Sequence, residues 1–163
     1  MQASADDVIN EFGPALARIS ASYERNRALR EELLQEIFLA IVSALPRLRD
    51  PSKLKSFVFR IAHNRSVGHV LQRMREPVSH AEPDEVAATA PTQEQSMIAT
   101  ERSQALLDAI RRLTLPYRQV ITLVLEDLTY AEIADVLGIS AVNVGVRVNR
   151  AKQQLKELLD HGR

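Results

Sequence analysis

Apolar residues recur every three or four positions along most of the chain, which is the spacing of amphipathic helices. In the first half, three such stripes predict a helix over about 6–26, a second that ends at Pro46, and a third over 52–75 with Ser52 as its cap. In the second half, the stripes predict a helix over 98–113, one that Pro116 opens, and two more that run to about residue 160. Glycine is scarce and the repeated turn dipeptides of hairpin-built proteins are missing, so we expect an all-α fold.

The stripes also predict which side chains form the core. The first helix should bury Val8, Phe12, Leu16, Ile19 and Tyr23. The third helix should use Leu54, Phe57, Val58 and Ile61, and the helix after Pro116 should bury or half-bury Val120, Ile121, Leu123, Val124 and Leu125.

Residues 128–150 have the spacing of a helix-turn-helix. Thr129, with Glu132 three positions later, forms a capping box in which each side chain binds a free backbone N–H at the start of a helix. Gly138 can adopt the left-handed conformation that ends this helix, and Ser140 can cap the next one. In such a unit the second helix enters the DNA major groove. The full set of spacings disfavours the alternative of an ordinary helical hairpin.

Composition places further limits on the chain. It has no cysteine, so disulfides and thiolate metal sites are excluded and an intracellular location is expected. Neither a secretion signal nor an apolar stretch long enough for a membrane span is recognisable. Residues 77–95 are rich in Pro, Ala and acidic residues, with almost nothing large and apolar, which predicts a flexible linker. We therefore expect two helical units, over 1–76 and 96–163.

The net charge of zero conceals an uneven distribution of charge. Residues 47–75 contain eight basic residues and one acid, Asp50, whereas residues 77–101 contain five acids and no base. A basic surface of this kind neutralises phosphates and gives affinity for nucleic acid without reading its sequence. The first half is thus expected to contact nucleic acid as well.

Taken together, these blocks resemble the extracytoplasmic-function (group IV) sigma factors, the two-domain specificity subunits of bacterial RNA polymerase. Residues 32–38 resemble the polymerase-binding helix of that family, and residues 57–64 resemble its promoter-melting helix. Residues 115–118 and 129–152 are similar to the domain that reads the −35 element. The resemblance implies a three-helix sigma-2-like domain and a four-helix sigma-4-like helix-turn-helix domain, joined by the linker.

The resemblance and the residue chemistry together give three sets of candidate site residues. The set expected at the −10 element is Arg49, Lys53, Lys55, Ser56, Arg60 and Asn64. The set expected at the −35 element is Ser140, Asn143, Arg147, Asn149, Arg150 and Lys152. The set expected to bind polymerase is Glu32, Gln35, Glu36 and Leu39, for which a merely solvated helix face is the alternative.

Two roles in the −10 region have alternatives. Phe57 and Phe59 are aromatic residues that could stack on an unpaired base. An aromatic residue at position 57 is mostly a core residue in the family that the chain resembles, which favours a place in the core for Phe57. Arg60 could contact DNA or could form a structural ion pair.

On the recognition helix, side-chain chemistry separates two kinds of contact. Asn149 and Arg150 are expected to contact bases, because Asn pairs with adenine and Arg with guanine through two hydrogen bonds. Asn143 and Arg147 are expected to hold phosphates. The helix departs from the family at residues 145 and 146, where Gly replaces a usual Lys or Arg and Val replaces a usual small polar residue, so that Val146 could touch a thymine methyl group.

The resemblance implies three partners, namely core RNA polymerase, promoter DNA and an anti-sigma factor that could hold an otherwise cytoplasmic protein at the membrane. The four histidines lack metal-site spacing and are expected at the surface or its boundary. With no glycine-rich phosphate loop either, we expect no enzyme, metal, cofactor, small-molecule substrate or membrane insertion. Two rival functions remain: a stand-alone helix-turn-helix regulator, and a sigma mimic that titrates an anti-sigma factor.

Overall fold

The computed structural model describes residues 3–76 and 94–161, and the regular elements within these ranges are helical. They are α1 (Ala5–Tyr23), α2 (Arg27–Ala44), α3 (Leu54–Arg75), α4 (Glu94–Arg112), α5 (Leu115–Leu125), α6 (Tyr130–Leu137) and α7 (Ala141–His161). The predicted all-α fold is confirmed. The predicted linker lies outside the described residues, except that its last two residues begin α4.

Helices α1, α2 and α3 pack on one another through the predicted stripe of α1. Its five apolar side chains are all at most 8% exposed. The ring of Phe12 meets that of Phe59 edge to face, with centroids 5.9 Å apart, an arrangement that favours aromatic pairs. Because Phe59 belongs to the core, the prediction that it stacks on a base is wrong. Phe57 is half-buried and packs against the same core.

The buried face of α3 is rotated from the predicted one. Val58 is buried as expected, but Phe59, Ala62 and His63 complete the face, whereas Leu54 and Ile61 are only half-buried. His63 is 8% exposed, which corrects its expected place at the surface or boundary. Burial lowers its pKa to about 4, so the imidazole is neutral at physiological pH.

One carboxylate joins the three helices of the first half. Glu24, at the end of α1, is 4% exposed, and its carboxylate lies 2.7 Å from His69 Nε2 and 2.8 Å from Arg73 Nε, both on α3. It also accepts a hydrogen bond from the Asn26 backbone N–H, just before α2. Burial by itself would raise the pKa of Glu24, but these bonds and the Arg73 charge outweigh it and hold the pKa below its usual value.

Between α2 and α3 the chain makes two short 3-10 turns, Leu45–Arg47 and Pro51–Lys53. Helix α2 ends just before Pro46, as predicted, and Pro46 itself lies within the first 3-10 turn. Ser52 does not cap α3. It lies within the second 3-10 turn, which Asp50 caps.

The second half contains α4 to α7, with α5, α6 and α4 each packed on α7. The capping box of Thr129 and Glu132 is present, and Gly138 ends α6 at φ 69°, in the left-handed conformation. Val144, which packs α7 onto the rest, is fully buried. Leu125 is 51% exposed, so its predicted burial is wrong.

The two halves also contact each other. Helix α1 lies against α4 and α5, and α3 lies against α6. Among the described residues, no helix has the combination of length and apolar content needed to cross a bilayer.

Candidate nucleic-acid interface

The turn before α3 exposes basic side chains, and its single acid forms local hydrogen bonds. Asp50 Oδ1 accepts hydrogen bonds from the Ser52 backbone N–H at 3.0 Å and from the Ser52 hydroxyl at 2.7 Å. These bonds, the hydroxyl's above all, lower the pKa of Asp50. Arg49 and Lys53, on either side of this Asp50 cap, are exposed, so the turn presents two cations to solvent.

The predicted −10 residues on α3 differ in their exposure and in their partners. Arg60 and Asn64 are exposed one turn apart, with Ser56 half-buried a turn earlier, as their spacing predicts. Lys55 is half-buried, and its ammonium group pairs with Glu132 of α6 at 3.1 Å.

Arg60 does form an ion pair. Its guanidinium lies 3.8 Å from the Asp135 carboxylate and donates to the Asp135 backbone carbonyl. Both side chains are about half exposed, at 52% and 44%, so the pair is at the surface. The ion pair that the sequence left open as an alternative role for Arg60 is therefore present. Its contact with DNA stays a prediction.

The predicted polymerase-binding residues of α2 are all exposed. Leu39 is 68% exposed, and the contact of this face with polymerase stays a prediction beside the alternative of a solvated helix face. Leu39 and Glu36 line an open groove of about 600 Å³ between α2 and α3, whose opposite wall includes Asn64 and Arg65. The groove brings one −10 candidate together with two polymerase candidates.

An ion pair crosses this groove. Arg65 Nη1 on α3 lies 3.3 Å from Glu36 Oε1 on α2. Sequence reasoning did not single out Arg65, because nothing in its local spacing distinguishes it from other basic residues of α3.

Helix α7 presents a mixed apolar and polar face to solvent. Val144, Val148 and Ala151 are fully buried. The opposite side carries Val142 and Val146, which are 76% and 42% exposed, followed by Asn149 and Gln153. This outward face of α7 is defined by those four residues and by Arg150 beside them.

The other predicted −35 residues flank this face. Asn143 and Lys152 are exposed and Arg147 is half-buried. Ser140 caps α7, since its hydroxyl oxygen accepts the Asn143 backbone N–H at 3.1 Å. Its oxygen is therefore used locally, and its first role is to fix the start of α7.

Gly145 lies on the side of α7 that approaches α6. A methyl group at this position would meet the Tyr130 ring at 3.6 Å, an ordinary van der Waals contact. The glycine is therefore not required by a close approach. Tyr130, Val142 and Val146 are all exposed.

No group of three or more His, Asp or Glu side chains in the described parts of the chain is placed to hold a metal ion. What the described surface offers is cations, amides and exposed apolar side chains, which suit binding to nucleic acid and to protein.

Comparison with known proteins gives matches over both halves. Residues 8–76 match the model described as Sigma-70 region 2, and residues 103–155 match the model described as Sigma-70, region 4. The first range contains the basic turn and the groove, and the second contains the helix-turn-helix.

Individual proteins show the same similarity. The chain is 33% identical over 138 residues to the ECF RNA polymerase sigma factor ShbA of Streptomyces griseus, covering 80% of this chain and 71% of that one. It is 26% identical over 156 residues to RNA polymerase sigma factor SigZ of Bacillus subtilis, covering 95% and 86%. Its fold is similar to sigma factor RpoE from Bartonella quintana, solved with the anti-sigma factor NepR, at TM-score 0.73 and 22% identity over 97% and 98% of the two chains.

Proposed function

The chain belongs to the extracytoplasmic-function group of the sigma-70 family, and from this premise we propose that it directs promoter-specific transcription initiation as a subunit of RNA polymerase. The observation that carries the proposal is the presence of both sigma regions, in order, on one chain. As a transcription initiation factor it is not an enzyme in its own right, and it would take no cofactor.

The N-terminal domain, residues 1–76, would bind core polymerase and the −10 element. The exposed Leu39 and the groove beside it suit a protein partner, because an exposed leucine gains from burial. The exposed cations of the Arg49 to Lys53 turn suit the DNA backbone. Asn64 lines the groove and would contact DNA held next to the polymerase.

The C-terminal domain, residues 96–163, would hold the −35 element with α7 in the major groove. The outward face of α7 supplies Asn149 and Arg150 for base edges, and Asn143, Arg147 and Lys152 beside it suit phosphates. Val146 would touch a thymine methyl group.

The proposed setting is the bacterial cytoplasm, where polymerase and DNA are found. The solved RpoE neighbour is bound to an anti-sigma factor, and we propose that an anti-sigma partner likewise holds this chain inactive, in solution or at the membrane.

Run-off transcription with purified core polymerase tests the proposal. We expect new promoter-dependent transcripts only when the chain is added. A sigma mimic would bind an anti-sigma factor without supporting transcription, and a stand-alone regulator would change the output of another sigma factor without replacing it.

A matched pair of variants makes this test specific. Leu39→Asp should abolish association with core polymerase, because it places a charge in the proposed contact. Met74→Asp changes an equally exposed apolar residue of α3, at 75%, outside the groove, and should leave association unchanged. Equal behaviour of the two variants would contradict the assignment of the groove.

A further inference from the structure

The outward face of α7 begins with two apolar side chains. Val142 is 76% exposed and Val146, four positions later, is 42% exposed. The polar members of this face come later along the helix, at Asn149, Arg150 and Gln153. Because residues four apart lie on one side of a helix with Cβ atoms about 5–6 Å apart, the two valines stand next to each other.

The fold does not use these two valines for its core. Val144 and Val148 of the same helix are fully buried and belong to the core cluster. The apolar side of α7 that packs on the other helices is therefore complete without Val142 and Val146. Both side chains would gain from burial against a partner with apolar groups of its own.

Val142 and Val146 also lie in the part of α7 that would meet base edges. Helix α7 starts at Ala141, and Ser140 caps it by accepting the Asn143 backbone N–H. In a helix-turn-helix, the residues near the start of the second helix are those that contact base edges. Gly145, which lies between the two valines in sequence, adds no polar side chain to this part of the helix.

The charge of α7 favours a nucleic acid as the partner of this face. Residues 141–156 contain four cations and no acid. The cations are Arg147, Arg150, Lys152 and Lys156. Such a helix complements the phosphates that border the major groove, so the two valines are brought to the base edges between them.

Thymine carries the group in the major groove that suits a valine. Its C5 methyl group is apolar, whereas the other three bases present hydrogen-bonding groups there without such a methyl. A valine that covers one of those groups removes its hydrogen bond to water and offers none in return, which costs free energy. A valine therefore favours thymine and also disfavours the other bases.

We propose that Val142 and Val146 together read thymine methyl groups, and that Val142 is a further residue that determines the sequence specificity of α7. The inference rests on the proposed function and deepens it, because it makes part of the −35 preference depend on methyl groups. The spacing of the two valines, about 5–6 Å, compares with a rise of about 3.4 Å per base pair. They would therefore read thymines at adjacent or nearly adjacent base pairs.

Replacement of thymine by uracil tests the inference, since uracil keeps the base pair and lacks only the methyl group. The probe is a duplex selected from a randomised pool by the full chain, with a parallel selection in the presence of core polymerase. Each thymine of the selected −35 site is then replaced in turn. We expect about fourfold weaker binding at one or two positions, which corresponds to the burial of one methyl group. If uracil binds as well as thymine at every position, as it would if the valines served a protein partner instead, the inference is overturned.

A pair of threonine substitutions connects the methyl groups to the two valines. Val142→Thr with Val146→Thr keeps the branched shape of each side chain but replaces a methyl group by a hydroxyl group. This variant should bind the thymine and uracil duplexes equally. A loss of folding would instead weaken binding to both duplexes and leave their ratio unchanged, and an unchanged ratio would contradict the inference.

Val42→Thr provides the matched control. Val42 is an exposed valine of α2, at 38%, and it does not line the groove beside Leu39. This variant should keep the fourfold preference for thymine. If it lost the preference as the α7 variant does, the effect could not be assigned to α7, and the inference would fail.

Val142→Thr alone tests the new residue. It should remove the effect of uracil at one thymine and leave the effect at the other, which Val146→Thr should remove. If Val142→Thr left the effect of uracil unchanged at every position, Val142 would not determine specificity.

The two selections separate this inference from the proposed function. If the chain does not associate with core polymerase, the proposed function fails, while the preference of the chain alone for thymine over uracil still decides the inference. If promoter-dependent transcripts appear but uracil is tolerated throughout the −35 site, the inference fails and the proposed function stands. The absence of any sequence-selective binding, with or without polymerase, would overturn the inference as well.

Discussion

The two arginines of α7 that we propose as DNA contacts differ in their exposure. Arg150 stands beside the outward face, whereas Arg147 is half-buried at its flank. A base contact discriminates between sequences, and a phosphate contact does not. The two arginines therefore predict different patterns of loss.

Arg150→Ala should weaken binding to the promoter by about 1–3 kcal/mol and relax the sequence preference at one position of the −35 element. Arg147→Ala should weaken binding to all promoter variants by a similar factor. Binding isotherms over a set of −35 variants measure both. If Arg150→Ala weakened binding to all −35 variants by the same factor, Arg150 would contact a phosphate and not a base.

The buried His63 predicts a pH dependence of stability. Its pKa is about 4 in the folded protein and about 6.5 when unfolded, so the unfolded chain binds the extra proton between these values. The free energy of unfolding should thus fall as the pH is lowered from about 6.5 to about 4, by up to about 3 kcal/mol.

Urea unfolding at several pH values tests this contribution. His63→Gln should reduce the change in the free energy of unfolding between pH about 6.5 and about 4. His161→Gln, at an exposed position, should leave that change as it is. Identical slopes for all three proteins would show that His63 is not responsible.

At the scale of helices and turns, the backbone conformation of a glycine decides whether its replacement by alanine raises or lowers the stability of the fold. Gly145 lies within α7 with room for a methyl group, so Gly145→Ala should raise the free energy of unfolding by about 1 kcal/mol. Gly138 has a positive φ, so Gly138→Ala should lower it by about 1–2 kcal/mol. Thermal or urea unfolding of both variants measures the contrast, and a loss of stability in both would contradict the account of Gly145.

Local chemistry was sufficient to predict the helix-turn-helix. The capping box and Gly138 act within a few residues, and the structure has both as predicted. The buried face of α3 was harder to predict, because α3 contacts α1, α2 and α6. With several partners a helix is covered on more than one side, so Phe59 and His63 became buried where a single stripe indicated Leu54 and Ile61 instead.

At the scale of the whole molecule, the contacts between the halves could not be predicted from the sequence. Lys55 and Glu132 are 77 positions apart, and Arg18 and Glu126 are 108 positions apart. Ion pairs over such separations follow from tertiary packing and leave no periodic pattern. Glu132 was recognised only as a cap, and Asp135 was not singled out at all.

The Glu24 cluster has a consequence for building hybrids with relatives. Since its carboxylate ties the end of α1 to His69 and Arg73 in the final third of α3, a crossover inside α3 would separate partners that depend on one another. Exchanges of promoter preference between family members should therefore be joined within residues 77–93. A junction there transplants α1 to α3 as an intact cassette.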